Sequence, residues 1–416
     1  MHIQIISFIY LLLPYSLITG PFLSDLSISV IALIFLYISI KQRLWHYYSN
    51  SFVYIFIIFY FLLILSSILS FYPIEGISVS LFYFRYLFFV LATVYVIKMN
   101  DKFYRYLFIS LVLAIFIISA DGYLQKLTGF NSLGWELDES ITGLFGDKKV
   151  IGTYLARLLP ISFALFLLNY GNKSKFYILF LIFLIFVEVL IFLSGDRSDF
   201  FLVSLSTIII LSLSNSNKLF RLIAFFISTV IVLLIMNFNP TIKESIIDKT
   251  VAEFNGKTYS YESEKKDFEK KNTYLFTKYH DAYIFTSWKM FKEKPFLGHG
   301  PRSFRIVCND EYYSKNNICS THPHNIYLEL FAETGIFGAI ILIATFFYLL
   351  YIFTVQFCYL ILYRKKIYQY DYEICLYSAC FINIFFFIPS FSIYNNWISI
   401  MMYMPLGFLL SKYIKN

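Results

Sequence analysis

The stretch FYILFLIFLIFVEVLIFLS, running from Phe176 to Ser194, decides the class of fold. It holds a single charged side chain. A hydrocarbon core of about 30 Å needs roughly 20 apolar residues in helical form to cross it. A surface helix of a soluble domain keeps one polar face over such a length, and this stretch has none. Comparable runs recur near 3–20, 27–40, 51–70, 78–97, 104–121, 150–169, 199–214, 219–238, 333–362, 373–390 and 396–413. The chain therefore reads as an all-α, polytopic membrane protein with about 12 transmembrane helices. The first run lacks a basic leader and a small-x-small cleavage site, so it is expected to stay as a span.

Composition agrees. Of 416 residues, 59% are hydrophobic and 14% are charged, against about a quarter charged in a soluble domain. Mean hydropathy is +0.67. A soluble enzyme, a disordered chain and a small disulfide scaffold are excluded. The formal charge of +8 belongs to loops that set topology. No basic amphipathic helix or aromatic-interleaved patch points to a nucleic-acid partner.

Lysine and arginine mark one set of short loops: Lys41 and Arg43; Lys98, Lys102 and Arg105; Lys173 and Lys175; Lys218 and Arg221; Arg364, Lys365 and Lys366; Lys412 and Lys415. The alternate short loops, near 20–26, 71–77 and 391–395, carry none. This asymmetry places both termini in the cytoplasm. Two longer segments fall on the outer side, 122–149 and 239–332. The chain divides into helices one to nine over 1–238, a large outer loop with short helices over 239–332, and helices ten to twelve over 333–416. Chemistry is expected at the outer face. Cys308 and Cys319 lie in the large loop, where a disulfide is expected in an oxidising compartment. Cys358, Cys375 and Cys380 read as small core residues.

An arginine inside a span is costly and needs a partner or a task. Arg85 reads as a structural ion pair. Arg157, in YLARLLP, and Arg197, in SGDRSD, both fall on the outer side. For each, a structural ion pair competes with phosphate binding, Asp196 or Asp199 being the local partners of Arg197. Two guanidinium groups facing one cavity suit a diphosphate, because the planar fork holds phosphate oxygens in pairs.

Within the large loop, Asn239 to Lys271 reads as a solvated, weakly helical segment. An amphipathic helix follows, with Ile284, Trp288 and Phe291 as its apolar stripe, stopped by Pro295. The glycines and prolines of PFLGHGP, residues 295–301, make Gly298 and Gly300 turn residues rather than a phosphate cradle. Arg302 and Arg305 are either phosphate ligands or solvated charges.

The densest polar signal is THPHN, residues 321–325. A His-x-His pair without a spaced third ligand is weak evidence for metal. A general base suits one of the two better. Pro323 disfavours helix at His322, so a helix begins near His324 or Asn325. Its positive end keeps an imidazole neutral and able to accept a hydroxyl proton. A purely structural, loop-capping histidine is the alternative. Gly335 and Gly338 permit close helix approach or a helix break.

These residues resemble the O-antigen ligase and polymerase family of bacterial membrane glycosyltransferases. His324-Asn325, nine residues, then Gly335-Ile336-Phe337-Gly338 is similar to the ligase-type pattern of His, then Asn, Ser or Gln, nine residues, then Gly-x-x-Gly. Lys294 to Gly300 with Phe304 resembles the family's Gly-x-Gly turn. Asp196-Arg197-Ser198 resembles its Ser-Arg link, and Thr142 to Asp147 is also family-like. The resemblance covers roughly 140–340. It implies a twelve-span fold with a large periplasmic loop. It further implies metal-independent transfer, without a cofactor, of a glycan from undecaprenyl diphosphate to an acceptor hydroxyl such as lipid A-core, at the inner membrane. By resemblance, His324 is the base and Arg197 holds the diphosphate. Many members carry a second essential arginine in the loop before a Trp-containing helix. Here Lys278 and His280 stand in that neighbourhood, so His280, Arg302 or Arg305 is expected to substitute, with Arg157, His322 and Asn325 as further substrate contacts.

A polymerase joining lipid-linked repeat units shares the donor and topology, and the ligase-type histidine pattern favours the ligase. A flippase of lipid-linked sugars would show paired repeats and broken midplane helices. The sequence has no convincing internal repeat.

Overall fold

A computed structural model of the chain describes residues 2–138, 140–171, 174–214, 218–238, 278–315, 317–363 and 370–414. The expected solvated segment from Asn239 to Lys271 lies outside the described residues, as do Lys173, Arg364, Lys365, Lys366 and Lys415. Among the described residues the regular structure is helical, with two isolated bridges in loops.

The helices are α1 (His2–Thr19), α2 (Pro21–Lys41), α3 (Ser51–Ile68), α4 (Pro73–Ser80), α5 (Arg85–Met99), α6 (Phe103–Thr128), α7 (Ile151–Tyr170), α8 (Ser174–Leu193), α9 (Arg197–Leu213) and α10 (Lys218–Phe238). After these come α11 (Lys278–Glu293), α12 (Phe304–Val307), α13 (Ile326–Cys358), α14 (Asp371–Asn383) and α15 (Asn396–Leu410). Their starts follow local chemistry. Proline opens α2 and α4, where a missing N–H costs nothing. Asn50, Asp196, Asn325 and Asn395 accept hydrogen bonds from first-turn amides of α3, α9, α13 and α15.

Among the described residues nine helical stretches are long and apolar enough to cross a membrane: α1, α2, α3, α4 with α5, α6, α7, α8, α10 and α13. The expected count of twelve is not confirmed. The other three segments form α9, α14 and α15, of 17, 13 and 15 residues. At 1.5 Å per residue these rise only about 20–26 Å. The shortness of α14 has a local cause. The run expected at 373–390 stops as helix at Asn383, and residues 384–395 turn their backbone toward α13 instead. Irregular backbone at membrane depth is tolerated where protein satisfies it.

The core centres on α7, in which every residue from Ile151 to Phe166 is buried. It packs against α6, α8, α9 and α14. Three bundle arginines are paired. Arg85 lies 2.8 Å from Asp25 and donates to Asn396 Oδ1 at 2.7 Å. Arg157 meets Asp199 at 3.1 Å. Arg221 pairs with Glu188, whose other oxygen accepts from Ser228 at 2.6 Å. Arg221 was expected as a loop charge, yet it is 3% exposed. It is an intrahelical arginine held by a partner, not a topology marker.

The two classes of loop separate in space. Lys98 reaches the Ile414 carbonyl, Lys412 pairs with Glu373 at 2.8 Å, and Tyr95 donates to Gln42 at 3.2 Å. At the other end, Ser70 meets the large loop, Trp397 donates to the Leu17 carbonyl at 2.8 Å, and residues 384–395 meet the start of α13.

Candidate functional site

The site grows from one interruption. Gly335 breaks α13 at φ 64°, ψ −162°. The break frees backbone groups that an unbroken helix would use internally, and the turn at 295–300 satisfies them. His299 N donates to the Ala332 carbonyl at 3.0 Å, Gly300 N to the Glu333 carbonyl at 2.8 Å, and Ile336 N to the Pro295 carbonyl at 2.8 Å. The two chains approach so closely that a Cβ on Gly298 would overlap the Glu333 and Thr334 backbone, and one on Gly335 the Phe296 backbone. Both glycines also sit at positive φ, where an L side chain is strained. Ser66 locks the joint by donating to the Leu297 carbonyl at 2.6 Å and lying 2.8 Å from that of Glu333. Gly300 packs against Ser70, and Gly338 against Thr334.

The spanning helix was expected to start near 333 and starts at Ile326, because the break lets one more helical segment precede it. Asn325 caps that segment through Tyr327 N at 3.0 Å and Leu328 N at 3.2 Å, and donates to the Phe386 carbonyl at 2.8 Å. The side chain expected at substrate is thus engaged in structure. His324, one residue ahead, adopts φ 53°. A non-glycine residue there carries about 1–3 kcal/mol of strain, which the surroundings must hold. Ser390 N holds it by donating to the His324 carbonyl at 2.8 Å.

The His324 ring is enclosed by aromatic and basic groups. Tyr283 stacks on it at 5.3 Å, His322 lies at 4.2 Å and His280 at 6.2 Å between centroids. Ser320 Oγ is 3.1 Å from its Nε2. Burial, with the charge of His280 second, pushes the His324 imidazole below its ordinary value. Burial, His324 and Arg305 push His322 down to about 3, against a weaker opposing contact from the Ser390 backbone. Both rings are therefore neutral near pH 7. A neutral imidazole can accept a proton from a hydroxyl or share a hydrogen bond with a ligand.

Arg302 and Arg305 flank this cluster on the turn before α12 and in its first turn. Arg302 has φ 63°. Burial and the like charge of Arg305 lower its pKa, opposed by Glu75, Glu333 and Glu329. Among the described residues neither guanidinium closes an ion pair or donates a hydrogen bond, and both Nε atoms are buried without a partner. The loop has its own small core of Tyr283, Met290, Phe304, Val307, Cys308 and Ala332. Cys308 and Cys319 are disulfide-bonded with Cα atoms 5.1 Å apart, joining the end of α12 to the strand that leads into Ser320 and His324.

The amphipathic stripe of α11 needs correction. Ala282, Tyr283, Thr286, Ser287 and Met290 form its buried face, while Trp288 is 52% exposed. The loop core recruits the Tyr283 face, and Trp288 is left on the opposite side. Phe291 packs on Phe331 of α13.

The structure groups His280, His322, His324, Arg302 and Arg305. Arg157 and Arg197 belong to the neighbouring α7–α9 junction. Arg157, 4% exposed, is held by Asp199, which also accepts from Thr153 at 2.7 Å. Arg197 is the half-buried first residue of α9, after the Gly195 turn at φ 82°. Sequence reasoning missed the roles of Ser320, Glu333 and Ser390. For Glu329 and Glu333 a signal existed: two carboxylates one turn apart in an apolar helix demand partners. Among the described residues no group of three His, Cys, Asp or Glu side chains is arranged to hold a metal ion.

Residues 178–343 match a protein-family model described as O-antigen ligase. That span contains every site residue expected from the sequence except Arg157, and of the others Ser390 lies outside it. The resemblance seen in the motifs is thereby borne out, and the match supports a membrane glycosyltransferase role in O-antigen assembly. No curated protein matches the chain.

Proposed function

We propose that this chain transfers a glycan from undecaprenyl diphosphate to an acceptor hydroxyl, lipid A-core or a similar glycan, at the periplasmic face of a bacterial inner membrane. Both termini are cytoplasmic in this reading. The observation that carries it is the neutral, conformationally strained His324 packed on His322, which feels the charge of Arg305, while among the described residues neither Arg305 nor Arg302 closes an ion pair. A neutral imidazole takes the proton of the acceptor hydroxyl. The hydroxyl oxygen then bonds to the sugar anomeric carbon as the bond from that carbon to the diphosphate oxygen breaks. The electron pair leaves on the diphosphate. Fixed guanidinium groups stabilise that charge without reorganising. Arg197 holds the diphosphate from α9, kept in place by the Arg157–Asp199 pair two residues on. Arg302 and Arg305 supply the second clamp from the loop.

The test is transfer by purified protein in detergent, with undecaprenyl-diphosphate-linked glycan, with and without lipid A-core, for wild type, Arg197→Ala and His324→Ala. Single-step transfer to lipid A-core, lost in both variants, supports the ligase. A ladder of longer lipid-linked glycans formed without lipid A-core identifies a polymerase instead. No product under either condition sinks both.

A further inference from the structure

Glu329 and Glu333 lie one turn apart on the segment of α13 before the break, 2% and 1% exposed. Neither is used by the chemistry above. Each spends its oxygens on the backbone of a different loop. Glu333 Oε2 accepts from Arg302 N at 2.7 Å and its Oε1 from Phe304 N at 2.9 Å. Glu329 Oε2 accepts from Ile393 N at 2.8 Å. The first loop carries Arg302 and Arg305. The second carries Ser390, whose N–H holds the His324 carbonyl at 2.8 Å and whose hydroxyl accepts from Ile326 N at 2.9 Å.

We infer that Glu333 and Glu329 are positioning residues: two buried carboxylates on one helical segment that fasten, in fixed relation, the arginine turn and the loop whose Ser390 holds the His324 backbone. The inference rests on the function proposed above. It also carries a chemical asymmetry. Glu333 receives two backbone N–H groups on two oxygens. Glutamine offers one carbonyl oxygen and turns an NH2 group toward the second donor, so Glu333→Gln must break one bond. Glu329 receives one backbone N–H and bonds the Ser392 side chain; a glutamine oxygen accepts the N–H equally well, and a serine hydroxyl can turn to accept from the NH2 group. Positioning also opposes simple charge balance. If Glu333 only offset the arginines, its neutralisation would strengthen anion binding. If it positions them, neutralisation weakens binding.

The experiment uses the full chain in detergent and measures two quantities: amide hydrogen exchange over residues 300–305 without ligand, and binding of undecaprenyl diphosphate alone. For Glu333→Gln we expect faster exchange at Arg302 and Phe304 and an affinity lower by about tenfold, the scale of one charge-assisted hydrogen bond. Unchanged or tighter binding, with wild type binding normally, overturns the inference. Wild type that fails to bind undecaprenyl diphosphate refutes the proposed function instead, and the exchange measurement alone then decides whether Glu333 holds the turn. If Glu333→Gln does not fold, the Glu329 pair decides. Glu329→Ala should lower kcat more than it raises donor KM, and Glu329→Gln should restore it. Equal damage from both Glu329 substitutions overturns the positioning role.

Discussion

Arg85, Arg157 and Arg221 lie among the bundle helices, and each closes an ion pair with Asp25, Asp199 or Glu188. Arg302 and Arg305 lie in the large loop, half-buried, and among the described residues neither does. The same side chain thus stands in two electrostatic situations. Within the bundle the nearby carboxylate offsets the desolvation of the guanidinium. In the loop, the like charges of Arg302 and Arg305 act on each other, and Glu75, Glu333 and Glu329 oppose them without closing an ion pair with Arg302. The contrast separates arginines held in ion pairs from arginines that close none among the described residues, which residue type and hydropathy do not distinguish.

The largest effect expected is on chemistry. His324→Ala should reduce transfer by about 10²–10⁴-fold, the usual worth of a positioned base, with abundance and melting temperature intact. Near-normal turnover would remove His324 from the reaction.

Next comes the bundle side of the contrast. Arg157→Ala strands the buried Asp199 and should cost about 3–5 kcal/mol of stability, seen as a lower melting temperature in detergent. Arg305→Ala should change stability by less than about 0.5 kcal/mol while raising donor KM. The contrast breaks if the two variants destabilise equally.

A third test concerns what holds the loop. Cys308→Ser opens the covalent tie between α12 and the segment leading to His324. A loss of about 2–4 kcal/mol is expected, confined to the loop and readable as faster amide exchange over residues 304–324. Uniform loosening of the bundle would contradict the separate loop core.

The smallest effect is a shift in pH dependence. The base must be neutral to act, and its pKa is lowered, so activity should persist below the ordinary histidine range and fall only as pH drops through that lowered value. His280 contributes to the lowering through its charge. His280→Ala should therefore move the acid limb of the pH–rate profile to higher pH. A shift to lower pH would mean that His280 does not face His324 as a cation.

The membrane class of the fold was legible because apolar runs announce themselves through length alone, and the two sets of loops differ in lysine and arginine. The histidine motif and its glycines were legible because proline, glycine and helix starts have local rules. The run at 199–214 was read close to the length of α9, while those at 373–390 and 396–413 were read longer than α14 and α15. Their hydropathy is ample, but residues 384–395 gain more from hydrogen bonds to α13 than from continuing a helix past Pro389. The stripe on α11 failed likewise, since Trp288 and Tyr283 are both apolar and only the loop core selects which one is buried.

Sequence by itself determined that this chain lives in a bilayer, which residues are costly there, and that His324 precedes a helix that Gly335 can break. Tertiary structure alone decided which charge meets which. It gave Asp199 to Arg157, Glu188 to Arg221 and the backbone of two loops to Glu333 and Glu329, and brought the charge of Arg305 to bear on both Arg302 and His322. The physical reason is range. Hydropathy and capping act within a few residues of chain, whereas ion pairs and buried hydrogen bonds join groups 30 to 300 residues apart, such as Arg302 with Glu333 and Arg85 with Asn396, and only packing brings these together.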